Sequence, residues 1–114
     1  MGSGPVLAVL GALAASTSIA YAGNVTIVCV ERSTHAQNTE KITFDFDRRL
    51  VISHDGWGGD RGRNLPLQIS GSILSWTDGM DYPNEVDSDT GEMHRMVYGA
   101  VVATLDCRLG RRLF

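Results

Sequence analysis

Outside its first twenty-two residues, this 114-residue sequence nowhere sustains the i, i+3, i+4 apolar spacing of a buried helix face, and it has no repeat, heptad or low-complexity linker. Those absences exclude bundles, solenoids and coiled coils. Basic residues are also scarce. Ten Lys and Arg face thirteen Asp and Glu, for a net charge of -3. A nucleic-acid partner needs a basic face, so that class is excluded. The weak cluster Arg108, Arg111 and Arg112 at the end is read as a solvated tail.

Catalytic and cofactor signatures are missing as well. The three histidines, His35, His54 and His94, have no neighbour at metal-ligand spacing, so no zinc site is expected. Ser70-Gly71-Ser72 does not make a nucleophile elbow, and there is no phosphate loop or dinucleotide fingerprint. His54-Asp55 could be half of an acid–base pair but is read as a turn. Asp87 to Glu92 alternates carboxylates before Gly91 in the manner of a calcium loop. It lacks the third ligand before the glycine, the terminal Glu and the flanking helices, and is read as a hairpin turn. The sequence therefore calls for no cofactor and no metal.

Charge is absent from Met1 to Ala22 too. Val6 to Ala15 is an unbroken run of apolar and small residues, and Ala20-Tyr21-Ala22 follows with a small-x-small pattern. Such a run is short for a membrane span and fits a secretory leader. The expectation is a signal peptide over residues 1–22, cleaved to leave a periplasmic or secreted domain over 23–114 with no membrane partner. The n-region MGSGP lacks Lys and Arg, which leaves an uncleaved anchor as the alternative. Two cysteines in an exported chain imply one disulfide, Cys29 to Cys107, joining the first and last apolar runs.

What remains is rich in strands and turns. Asn24 to Arg32 is β-branched. Glu40 to Phe46 alternates, with Ile42, Phe44 and Phe46 on one face and Lys41, Thr43 and Asp45 on the other. Leu50 to Ile52, Leu67 to Ile69, Ser72 to Thr77, Glu92 to Tyr98 and Ala100 to Arg108 complete the set. Tyr82 to Val86 is a further segment, and its Pro83 suits an edge. About eight short segments with regular turns predict an all-β domain, a small antiparallel barrel or curled sandwich. A membrane barrel is disfavoured, because Arg112, Gly110 and Arg108 stand where alternation back from Phe114 would need apolar residues.

The longest loop, His54 to Asn64, holds four glycines in eleven positions and is read as mobile. Trp57 is its one large apolar side chain, whereas Trp76 sits in an apolar strand and is assigned to the core. A loop longer than a hairpin needs is commonly functional, and a lone Trp there suits an interface anchor. Trp57, with Arg61 and Arg63 as charged partners, forms the candidate binding site. The rival is a lid, with Trp57 folded back onto the domain.

The leader, Cys29, the strand Ile73-Leu74-Ser75-Trp76, the Asp87-to-Gly91 turn and Cys107 followed by Arg-Leu resemble a group of small, functionally uncharacterised exported proteins of Gram-negative bacteria, single-disulfide and β-rich. A weaker resemblance is to the C-type lysozyme inhibitors, small exported barrels whose disulfide ties the first strand region to the last. Ser70-Gly71 keeps the start of their signature, while Leu74 stands where it has Tyr and Asp78 where it has Lys. The expected function is a non-catalytic envelope protein that binds a protein or glycan through the His54–Asn64 loop. A C-type lysozyme inhibitor and a small hydrolase are the alternatives.

Overall fold

The computed structural model of the chain describes residues 22–32 and 38–110. The proposed leader (1–22) apart from Ala22, and His35, Arg111, Arg112 and Phe114, lie outside the described residues. Among the described residues nine strands follow in order: β1 Asn24–Glu31, β2 Thr39–Asp45, β3 Leu50–Asp55, β4 Leu65–Pro66, β5 Gln68–Ser70, β6 Ile73–Thr77, β7 Pro83–Asp87, β8 Glu92–Val97 and β9 Ala100–Leu109. Every neighbouring pair is antiparallel, and the sheet order is β4-β3-β2-β1-β9-β8-β7-β6-β5.

The two edge strands of that sheet are consecutive in the chain, parted only by Leu67. One stretch of backbone gives its first half to β3 and its second half to β6. The Leu67 amide extends the β3 side by donating to the Arg49 carbonyl at 3.0 Å. The sheet thus curls into a nearly closed barrel, which removes the hazard of long open edges. The other seam joins the first strand to the last. There Cys29 faces Cys107 in register across β1 and β9, and the two are disulfide-bonded, 78 residues apart in sequence.

Alternation decides what faces inward. Ile42 and Phe44 of β2, Met93 of β8, Leu105 of β9 and Val51 of β3 are fully buried. Phe44 lies edge-on to Trp76 with centroids 5.4 Å apart and stacks on Phe46 at 5.6 Å. Trp76 is core, as expected.

Three expectations need correction. Pro83 does not mark an edge: β7 is flanked by β6 and β8, and Pro83 takes its first position, where a missing amide is tolerated. His54 and Asp55 are not a turn but the last residues of β3, paired with Ile42 and Lys41, so the connecting loop begins at Gly56. Between Thr43 and Phe44 the β2–β3 register shifts by one residue, a β-bulge. That shift lets Val51 and His54, three apart, both turn inward. The third correction concerns the loop, described next.

Candidate functional site

The barrel has two unlike ends. β2 runs from Thr39 to Asp45 and Phe46 follows it, so Glu40 lies at one end and the Phe44–Phe46 pair toward the other. At the Glu40 end the interior is filled with polar side chains. Glu40, His54, Asp78, Asn84 and Arg95 are all buried. The Glu40 carboxylate accepts from His54 Nε2 at 2.7 Å, from Arg95 Nη2 at 2.5 Å and from Asn38 Nδ2 at 3.1 Å. Arg95 Nε donates to Asn84 Oδ1 at 3.1 Å and lies 3.6 Å from Asp78 Oδ2. Asp78 in turn accepts from the amides of Met80 and Tyr82 and from Asn84 Nδ2. Burial alone would raise the Glu40 pKa. The hydrogen bonds from His54 and Arg95 outweigh it and hold that carboxyl below its ordinary value.

The indole of Trp76 fixes the His54 tautomer. An indole N–H can only donate, so His54 Nδ1, 3.3 Å from Trp76 Nε1, accepts, and Nε2 carries the proton given to Glu40. Both ring nitrogens are therefore occupied, and the His54 side chain has no exposed surface. A general base needs a nitrogen within reach of substrate, and in this arrangement His54 offers none. His94 sits on the outer face, where its Nε2 meets Glu92 at 2.6 Å.

The glycine loop closes over this network, and it is pinned rather than mobile. Asp60 supplies the pins: its carboxylate accepts from the amides of His54 and Gly62 at 2.9 and 2.8 Å, and its carbonyl from Arg63 at 3.0 Å. The Gly79 amide donates to the Gly59 carbonyl at 2.7 Å. Two glycines are required by contact. Gly56 (φ 143°) presses on Glu40, where a Cβ would come within 2.5 Å of Cγ. Gly58 (φ 86°) presses on Asp78, where a Cβ would come within 2.4 Å of a carboxylate oxygen. Side chains at these positions would hold the loop off the buried acids.

Trp57 combines the two readings set out for it. Its ring stacks on Tyr82 with centroids 5.1 Å apart and planes 7° from parallel, and the Arg95 guanidinium carbon lies 4.9 Å from its centroid. Yet it remains 46% exposed. It lies over Arg95 of the network with part of its surface and presents the rest outward. Arg61 and Arg63 are exposed on the same loop. The Arg61 stem runs against Gly79. Among the described residues neither guanidinium is held by a hydrogen bond or an ion pair.

Tyr82, Arg95, Glu40 and Asp78 complete the site and were not singled out from sequence. A signal existed for two of them: Glu40 continues the inward series of Ile42, Phe44 and Phe46, and Arg95 continues that of Met93. A charge at a position that alternation turns inward implies a buried partner. Asp87 spends one carboxylate oxygen on the Asp89 amide at 2.9 Å, within the β7–β8 turn. Among the described residues no group of three or more His, Cys, Asp or Glu side chains could hold a metal ion. The chain matches no family model, no curated protein and no solved structure.

Proposed function

We propose that this chain is an exported, non-catalytic binding module of the bacterial envelope, and that the loop over the Glu40 end is its recognition element. Trp57 is the anchor, with Arg61 and Arg63 as charged partners for a protein or glycan. The observation that carries this reading is the state of Trp57, a large aromatic ring left half-exposed while its orientation is fixed by Tyr82 and Arg95. A pre-oriented aromatic loses little entropy on binding, the property that makes Trp and Arg frequent hot spots. The disulfide is compatible with an oxidising compartment. The apolar side chains of the wall face inward, as in a water-soluble barrel and opposite to a membrane barrel.

Trp57 also provides the assay. Trp76 is buried, so a ligand at the loop changes the emission of Trp57 first. Soluble peptidoglycan fragments, C-type lysozyme and fractions of a periplasmic extract are titrated against wild type and Trp57→Ala. Because the variant lacks the reporting ring, its binding is followed by calorimetry, and a wild-type affinity lost in the variant supports the reading. A partner bound equally by both removes Trp57 from the site. Inhibition of lysozyme turbidity clearance that survives Trp57→Ala would instead place the chain with the lysozyme inhibitors, acting through another surface.

A further inference from the structure

The opposite end of the barrel is built differently, and it carries a second site. There the described residues do not fill the interior. A cavity of about 340 Å³ opens between the β7–β8 turn and the backbone at Ala22, lined by Val25, Ile27, Phe44, Phe46, Leu74 and Val86 among others. Phe44, one of its lining residues, stands edge-on to Trp76, whose indole meets the Glu40 network through His54. The cavity is thus a partly open, mainly apolar pocket. Protein interiors are packed densely, and voids much larger than a water molecule are few. A wall of Phe, Leu, Ile and Val gives water no partners, so an apolar guest gains by displacing it. Barrels of about eight strands have a bore that either fills with side chains or holds one small ligand. Here the polar half of the bore is filled and the apolar half is open.

We propose that this pocket binds a single saturated alkyl chain, with its polar head left at the mouth. A wall mainly of Val, Ile, Leu and Phe side chains gives dispersion contact without directed polar partners, which suits an alkyl chain, and about 340 Å³ holds a single one. Arg108 is among the lining residues and offers a cation to an anionic head, while the Asp87 carboxylate accepts from the Asp89 amide; among the aliphatic linings Val25 and Ile27 are only partly buried, so guest contact would complete their burial. The site is independent of Trp57, which lies at the other end.

The test uses the full chain and the fluorescent linear-chain fatty acid trans-parinaric acid. Wild type is expected to enhance its emission with one-to-one stoichiometry, and sodium decanoate below its micellar concentration is expected to displace it. Flotation with phosphatidylglycerol vesicles separates the two sources of alkyl chain. Displacement without flotation marks a free fatty acid, and co-flotation marks a lipid acyl chain. Ile27→Trp and Val25→Phe fill the pocket and are expected to abolish the enhancement without lowering the melting temperature, while Trp57→Ala leaves it unchanged. Amide shift changes on adding decanoate to wild type are expected around Val25, Ile27, Leu74 and Val86. Absence of enhancement by folded wild type overturns the proposal. So do shift changes centred instead on the exposed apolar hairpin tip at Tyr98, Val101 and Val102, or undiminished binding by folded pocket-filled variants.

Discussion

Glu40 is the residue on which the polar end of the barrel depends. It answers one guanidinium, one imidazole and one amide at once, so its removal leaves several buried donors without an acceptor. Breaking a buried pair from one side costs about 3–5 kcal/mol, and Glu40→Ala is expected to lose that much in urea denaturation. Replacing both members by apolar residues is milder, so Glu40→Met with Arg95→Met should recover part of the loss, the His54 N–H still lacking its acceptor. The same carboxylate sets a pH dependence. Its folded pKa lies below the ordinary value of 4.5, as does that of Glu92 beside His94 and Arg32, and those of Asp45 beside Arg48 and Asp106 beside Arg32 lie below 3.8. Between the folded and unfolded values the unfolded chain binds more protons. The contribution is therefore complete above the unfolded pKa and is lost as pH falls through the folded one. Urea midpoints should be level with respect to these groups from neutrality to about pH 5 and decline below about pH 4.5. Glu40→Gln should make that decline shallower, and an unchanged slope would remove Glu40 from the acid transition.

At the scale of elements, the loop between β3 and β4 joins fold to site. Gly58→Ala adds a methyl group against the Asp78 carboxylate at a positive φ, whereas Gly62→Ala adds one at φ 74° with nothing within 4 Å. Strain alone should cost Gly62→Ala about 1 kcal/mol. Gly58→Ala should cost about 1–3 kcal/mol and should also shift Trp57 off Tyr82, seen as altered tryptophan emission. Equal losses in the two variants would mean that the loop does not rest on the acid. Strand β2 was legible in the sequence because its alternation is clean, and so was the loop, because four glycines cannot belong to a strand. The rigidity of the loop was not legible. It comes from Asp60 reaching back to His54 and from Gly59 meeting Gly79, pairings set by barrel closure and not by neighbours in sequence. The inward turn of His54 was hidden for a related reason: a bulge resets the alternation, and no residue of the Leu50–Asp55 segment announces it. Trp57 was legible as the conspicuous apolar residue of the loop. Its platform, Tyr82, comes from a different turn and had no mark in the sequence.

The whole molecule is a wall closed at two seams of different kinds. At the β4–β5 seam the closure is the chain itself, so it cannot open without unravelling both flanking strands. At the β1–β9 seam the closure is a ladder, Ile27 to Glu31 against Leu109 to Leu105, reinforced by the Cys29–Cys107 bond and by Arg32 donating to Asp106 through Nε and Nη2. The ladder and the inward core remain when the bond is removed. The bond therefore acts chiefly on the unfolded chain, where it shortens a loop of 78 residues. In the chain-entropy account a loop of this length is worth about 4 kcal/mol, a large share of the stability expected of a domain this small. The double variant Cys29→Ser with Cys107→Ser should thus stay folded in the cold, with the near-ultraviolet signature of the Trp57–Tyr82 stack at the far end unchanged, yet melt far below wild type. Thermal unfolding followed by that signature tests the division of labour. A variant with a lower midpoint but a native spectrum at low temperature fits a bond that restrains the unfolded chain. If the spectrum is lost at low temperature, the bond holds the β1–β9 seam itself, and the hydrogen-bonded ladder does not close the barrel unaided.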